Sequence, residues 1–419
     1  MNNMIKRNTI DVAIDMLSAF PSVSLNGARQ VGKSTFAGQI INKIGGEIVN
    51  LDDDNILVAA ENDAVGFLRQ YENSLLVIDE VQRFPRLTLA IKREIDRNRR
   101  SGRFLLTGSS NILKMRQNPE SLAGRTVDID MYGFSQGELS GVKEDFVKGV
   151  LEEKDLIKYK SCLTKKDYAK KLFAGQYPVQ NQFRNNRQKS YWYNSYIKYL
   201  LTKDLKDISS HLIPERLNRI LKIVAANQAG ELVVGRIADK LTLRRGAIEN
   251  YVNTLETMNI IETLPVYSSN LTSKVVFHKK SIVLDTGLCM YLNGLNNDNI
   301  LAPQNIENFG GQFEGFIIGE LLRQRVWSEI DYNLYYYRNI RKEEIDVIIE
   351  LYDGRVILIE IKSSSTHKYD SFHNIKKLSK AFGSKFVAGF VMNTAEDVYS
   401  IGKNMWSVPA SLLWEIGFL

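Results

Sequence analysis

The chain has 419 residues, more than one ordinary domain needs, so two to four domains are expected. Its 44% hydrophobic and 25% charged residues fit a soluble globular protein, and no uninterrupted apolar run reaches membrane-spanning length. The net charge of +7 permits contact with nucleic acid without demanding it, and the two cysteines, Cys162 and Cys289, exclude both a disulfide framework and a cysteine-built zinc site. A reducing, cytoplasmic compartment fits that cysteine usage.

Met1 to Phe20 reads as an amphipathic helix rather than a signal peptide, because Asp11 and Asp15 interrupt its apolar run. Strands are predicted at Ser22–Leu25, Glu47–Leu51, Leu75–Ile78, Phe104–Leu106 and Thr126–Met131, with helical patterns between them. That alternation predicts an α/β domain with a parallel sheet and crossover helices over residues 1–142. Residues 143–209 turn helical, rich in Lys and Tyr, and read as a connector. Residues 210–292 form a small helical unit ending in a hairpin. The Asn-rich stretch 293–308, with Pro303, reads as a linker. Residues 309–419 carry a helix, two strongly apolar strands and a further helix-and-strand pattern.

The first domain holds the most informative segment. Gly27, Ala28, Arg29, Gln30, Val31, Gly32, Lys33, Ser34 and Thr35 spell a complete P-loop, placed after a short strand and opening a helix. Its glycines let backbone N–H groups curl around phosphate oxygens, and the helix N-terminus adds positive potential. Lys33 is expected to reach the β- and γ-phosphates of ATP, and the Ser34 hydroxyl to ligate Mg2+. The run Leu75 to Glu80 predicts a buried central strand ending in two carboxylates. Asp79 would hold the magnesium, directly or through water, and Glu80 would orient and polarise the attacking water. The strand Arg103 to Thr107 should lie between these two and end in small polar residues near the γ-phosphate. Ser109 is the favoured contact there, with Thr107 and Asn111 as alternatives. Arg125 either supplies transition-state charge to a neighbouring subunit's nucleotide, which implies a homo-oligomer, or serves the dipole of its own helix.

Together, Gly27 to Ser34, the run to Asp79 and Glu80, the Leu-Thr-Gly-Ser strand end and Leu122 to Arg125 resemble the AAA-type ATPases of archaea and bacteria. More narrowly, they resemble the group that carries an uncharacterised C-terminal nuclease-like domain. The turn Gly175-Gln176-Tyr177-Pro178 and the later Tyr196, Leu200 and Asp204 are similar to that group too, so the resemblance spans nearly the whole chain.

In the middle unit, a short helix near Glu231–Leu241, a second from Arg244 to Met258 and two following strands resemble a winged helix-turn-helix. In a DNA-reading form, Arg244, Arg245, Asn250 and Asn253 would face the groove or the phosphates. The other reading is a packing module that couples the ATPase to the last domain.

Glu343 to Lys362 predicts a hairpin of two buried strands with charges at chosen places. Glu360 and Lys362 share a face by the period of two. A three-residue loop, Tyr352 to Gly354, would bring Asp346 opposite Glu360, whereas a two-residue turn would put it on the wrong face. Asp346 and Glu360 would then hold a second Mg2+ or Mn2+, and Lys362 would assist a nucleophile. This pattern resembles the restriction-endonuclease-like nucleases with a Pro-Asp…Asp/Glu-x-Lys motif, except that Ile345 stands in the proline's place. The resemblance adds a glutamate from the preceding helix, Glu314, with Glu320 as the alternate. Three functions follow as expectations: an ATP-driven machine on DNA that gates a nuclease, an ATP switch that recognises a protein partner, or a DNA-binding regulator without turnover.

Overall fold

The computed structural model describes residues 5–108, 122, 124–152, 155–209, 211–268, 278–341, 343–366 and 369–418. The N-terminal sheet contains β1 (Ser22–Asn26), β2 (Glu47–Asn50), β3 (Leu76–Asp79), β4 (Phe104–Gly108) and β5 (Thr126–Asp130). All pairings are parallel, in the order β2-β3-β4-β1-β5, so β4 lies between the two strands that carry the P-loop and the acidic pair. The central strands β1, β3 and β4 are buried throughout, because helices cover both faces of the sheet. Alternation along the strands assigns each side chain to a layer. Val23, Leu25, Val77 and Leu105 pack with Phe36 and Ile40 on one face. Leu76, Ile78 and Leu106 pack with Leu87 and Ile91 on the other.

The connector contributes the helix Asn186–Tyr199, which runs on into a π-helical turn at Leu200–Asp204. Helices Pro214–Ala226, Val234–Leu241 and Arg245–Thr257 follow, then the antiparallel pair β6 (Ile261–Leu264) and β7 (Lys280–Val283). Two strands alone make a marginal sheet. Here the pair is anchored to the C-terminal domain, since Tyr336 exchanges backbone hydrogen bonds with Pro265 and Tyr267.

The stretch read as a linker packs against its neighbours. Leu295 and Ile300 are buried, the Asn296 carboxamide accepts from the amides of Asp298 and Asn299, and a short turn at Pro303 leads into the long helix Ile306–Gln324. The C-terminal sheet holds β8 (Tyr332–Arg338), β9 (Glu344–Leu351), β10 (Val356–Ile361), β11 (Phe386–Asn393), β12 (Tyr399–Gly402) and β13 (Met405–Pro409). Its order is β12-β13-β11-β10-β9-β8, with β10, β11 and β13 parallel to one another. The helix His373–Phe382 makes the crossover from β10 to β11. Strand β8 is absent from the elements expected on sequence, although Tyr332, Leu334 and Tyr336 alternate into the core.

Buried polar side chains of the long helix fasten the last domain to the first domain, the connector and the middle unit. Glu320 accepts from the amide of Gln136 at 2.9 Å, and Gln324 accepts from that of Phe146 at 2.9 Å. Arg323 donates to the carbonyls of Gly133 and Leu284 at 3.1 and 3.0 Å. Beside this seam Arg7 pairs with Glu138 at 3.2 Å, and Asn8 donates to Glu144 at 2.7 Å. Glu144 is fully buried with one carboxylate oxygen lacking a partner, and burial pushes its carboxyl up to about 8. The folded chain therefore keeps a proton that the unfolded chain loses above its ordinary value of 4.5, so stability falls as pH rises from there toward 8. Glu144→Gln removes that proton linkage. The drop in Tm between pH 5 and pH 8 should shrink in this variant by about 2–4 °C for each kcal/mol relieved, read by thermal melts at both pH values.

Candidate nucleotide-binding site

The loop after β1 has a backbone that side chains would block. A Cβ on Gly27 would meet the Met131 carbonyl oxygen at 2.2 Å. Gln30 and Gly32 both adopt positive φ, 65° and 98°. Gly32 caps the helix Lys33–Ile44 without any side-chain hydrogen bond, which leaves the first helical amides for an anion. Ala28 and Val31 are buried under the loop, while Gln30 and Thr35 are exposed.

Lys33 folds beneath this loop and donates to the carbonyls of Gly27 and Ala28 at 2.7 and 2.8 Å. Burial lowers its ammonium to about 8. A triphosphate offers the same ammonium far stronger acceptors. The Ser34 hydroxyl donates to Asp79 Oδ2 at 2.7 Å. Asp79 Oδ1 accepts from the Thr107 hydroxyl and from the amide of Glu80 at 3.1 Å. A hydroxyl and a carboxylate in contact are the hard oxygen donors that magnesium selects, so Ser34 and Asp79 fit that ion. Glu80 sits in the left-handed region at φ 58°, its carboxylate accepts from the Gln82 side chain, and burial raises its pKa. A non-glycine residue at such an angle is costly, and such strain collects at functional positions.

Ser109 and Asn111 lie outside the described residues. Thr107, the alternative on the same strand, is the β4 residue that reaches Asp79. Arg125 forms an ion pair with Asp96 of its own chain, 2.7 Å from Nε to Oδ1, at the end of the helix Leu87–Arg97.

On sequence, Arg29 belongs only to the loop. In the structure its Nε lies 3.0 Å from both oxygens of Asp204, on the π-helical turn, and a second guanidinium nitrogen lies 2.9 Å from Oδ1. The Tyr196 hydroxyl donates to the Arg29 carbonyl at 3.3 Å and exchanges a 2.8 Å hydrogen bond with Tyr177. The turn at Gly175–Pro178 is itself held by Asp285, which accepts from the amides of Gln176 and Tyr177. The phosphate loop is thus clamped from the connector side.

In the C-terminal domain the hairpin has the three-residue loop: Leu351 donates to the Arg355 carbonyl at 2.9 Å, and Gly354 is at φ 79°. Ile359 faces Val347, and continuing that register sets Glu360 opposite Asp346. Asp346 Oδ2 accepts from the Ile361 amide at 2.8 Å, and Lys362 pairs with Glu360 at 2.6 Å. Burial and the neighbouring Asp346 push the carboxyls of Glu314 and Glu360 up to about 8. The expected metal arrangement is not formed. Among the described residues no group of three or more His, Cys, Asp or Glu is set to hold a metal ion. Instead the ammonium of Lys280, a residue that no sequence motif marks, stands 2.5 Å from Glu314, 3.1 Å from Glu344 and 3.4 Å from Asp346. Glu320, the alternate, is engaged elsewhere, with Gln136 and Arg323.

Residues 19–140 match the family model described as an AAA domain. The first unit is an AAA domain with a P-loop. Residues 165–299 and 309–413 match two further models, each described as a domain of unknown function. The chain is similar to uncharacterized proteins of Mycobacterium tuberculosis and Mycobacterium bovis, 26% identical to each over 83% of this chain and 71% of theirs. Among solved structures it is similar to a Walker-type ATPase of Pyrococcus abyssi, at 14% identity and TM-score 0.46 over 70% of this chain and 96% of that one. It is also similar to AMPPCP-bound DnaA of Aquifex aeolicus, at 14% identity and TM-score 0.27 over 59% and 86%. With scores this low, the assignment rests on the family match and the sheet order. Among the described residues no helix is long and apolar enough to cross a membrane.

Charge-assisted hydrogen bonds of the kind that join Arg29 to Asp204 contribute about 1.5–3 kcal/mol. Asp204→Asn should therefore weaken ATP binding about tenfold, through a loosened loop, while the chain keeps its circular dichroism spectrum. A fluorescent-nucleotide titration reads this, and unchanged affinity would show that the clamp has no part in binding.

Proposed function

We propose that the chain binds ATP with magnesium and hydrolyses it, and that the connector reads the nucleotide state through the Arg29–Asp204 pair. The observation that carries this reading is the convergence of Ser34, Thr107 and the Glu80 amide on Asp79, beside a helix N-terminus without a cap. Magnesium held by Ser34 and Asp79 would offset the charge of the β- and γ-phosphates. Lys33 exchanges two carbonyls for phosphate oxygens, and the loop amides bind the remainder. Glu80 orients water for attack on the γ-phosphorus, with Thr107 at the strand end next to it, and Ser109 is assigned the contact to the lytic water or γ-phosphate. Arg125 would leave Asp96 to serve a neighbouring subunit's nucleotide, which makes a homo-oligomer the acting form.

Two variants separate binding from chemistry. Lys33→Ala should abolish ATP binding, whereas Glu80→Gln should bind ATP with near-native affinity and lose turnover by about 100-fold, within the range for removing a water-activating base. ATP turnover at the wild-type rate in Lys33→Ala would end the proposal.

DNA is the favoured partner for the middle unit, which we read as a winged helix-turn-helix. Arg244, Arg245, Asn250 and Asn253 are all exposed at or along the helix Arg245–Thr257. The C-terminal domain is read as restriction-endonuclease-like in its hairpin, but acting as a docking domain rather than a cutting one, because Lys280 occupies the carboxylate cluster. Replacing both Arg244 and Arg245 by Ala should lower affinity for duplex DNA and reduce the slope of log K against log salt by roughly 2, one for each phosphate no longer neutralised. If DNA binding is absent or unchanged, the exposed helix instead serves a protein partner.

A further inference from the structure

Two carboxylates of the C-terminal hairpin and one of the long helix surround a cation that another domain delivers. Lys280 opens β7 in the middle unit, and its side chain is 2% exposed. Its backbone is fixed on several sides. It pairs with Leu264 of β6, it forms a bridge to Glu231, and the Tyr336 hydroxyl donates to the His278 carbonyl two residues before it. From this position Nζ reaches Glu314 of the long helix and both Glu344 and Asp346 of β9, and it lies 5.3 Å from the centre of the Tyr336 ring. An ammonium has three donors, and here it meets three carboxylates. A buried ammonium without such partners would carry a large desolvation cost, and so would buried carboxylates without a cation.

The same carboxylates would be the first donors to any divalent ion on this face. A divalent ion bound to them would sit within a few ångströms of the ammonium, where like charges repel strongly in a partly dry site. On the strand beside Asp346, Glu360 Oε2 is buried and has no hydrogen-bond partner. It is an acceptor that neither Lys280 nor Lys362 uses.

We infer that Lys280 is an intramolecular plug for this site. While the middle unit is docked, its ammonium takes the cation position and divalent metal is excluded. When Lys280 is withdrawn, Glu314, Asp346 and Glu360 become a divalent-cation site. The inference does not depend on the ATPase reading, because it concerns residues remote from the P-loop in sequence and on a different sheet.

Manganese is the probe, with free Mn2+ read by electron paramagnetic resonance in nucleotide-free full-length protein. Wild type and Asp346→Asn should bind the same amount of Mn2+. Lys280→Ala should gain one equivalent, and the double variant Lys280→Ala with Asp346→Asn should lose it again. Lys280→Met, which keeps the apolar stem, replaces Lys280→Ala if the alanine variant does not fold. Wild-type binding of a Mn2+ ion that Asp346→Asn loses would overturn the plug, and so would a folded Lys280 variant that gains none. The comparison of wild type with Asp346→Asn decides the first point whatever the Lys280 variants do.

Discussion

Asp79 takes one hydrogen bond from the helix that follows the P-loop, one from the strand between the two motif strands, and one from the backbone of its own turn. That single carboxylate therefore sets the relative height of β1, β3 and β4 at their C-terminal ends. The arrangement works because β3 and β4 beneath it are apolar on both faces up to their ends. With no polar side chain to satisfy along their length, β3 and β4 can run through the middle of the sheet and carry their polar residues only at the tip. Burial on both faces and function at one end are two consequences of the same sequence pattern.

A second tier of polar contacts turns the separate units into one body. Buried hydrogen bonds between side chains and backbone stabilise only when their geometry is complete, since a missing partner leaves a desolvated group behind. Gln324, Arg323 and Glu320 each satisfy a backbone group in another unit, so the long helix Ile306–Gln324 is held at the seam by groups that have no equivalent partner if it shifts. The clamp on the phosphate loop obeys the same logic. Arg29 and Tyr196 tie the loop to the connector, and Asp285 ties the connector's turn to the middle unit. A continuous chain of hydrogen bonds thus joins the phosphate loop to the unit that carries Lys280.

The hairpin of the last domain shows how far local sequence reaches. Gly354 takes the left-handed position that a three-residue loop requires, and the register that brings Asp346 level with Glu360 follows from that loop length. The aromatic alternation of β8 is equally present in the sequence. It gives a weak signal because Tyr is amphipathic, and Tyr332, Tyr335, Tyr336 and Tyr337 blur the contrast on which a period of two is read. The packed connector at 293–308 reads as a linker for a related reason: its Asn side chains bond to their own backbone, which looks like loop chemistry whether or not Leu295 and Ile300 are buried.

The amino-acid order alone determined the P-loop, the acidic pair and the strand between them, because their residues are neighbours in the chain or sit at strand ends whose direction is set by the parallel alternation. It also placed Glu360 and Lys362 on one face of the last hairpin, while the loop length that brings Asp346 to them was settled by the structure. Only the tertiary structure decided the partners of Arg29 and of Glu314 and Asp346. Asp204 lies 175 positions from Arg29, and Lys280 lies 34 from Glu314 and 66 from Asp346. A lysine in a short strand carries no sign of where its ammonium will end. The docking of one sheet against another set that, and with it whether the carboxylates face a metal or an ammonium.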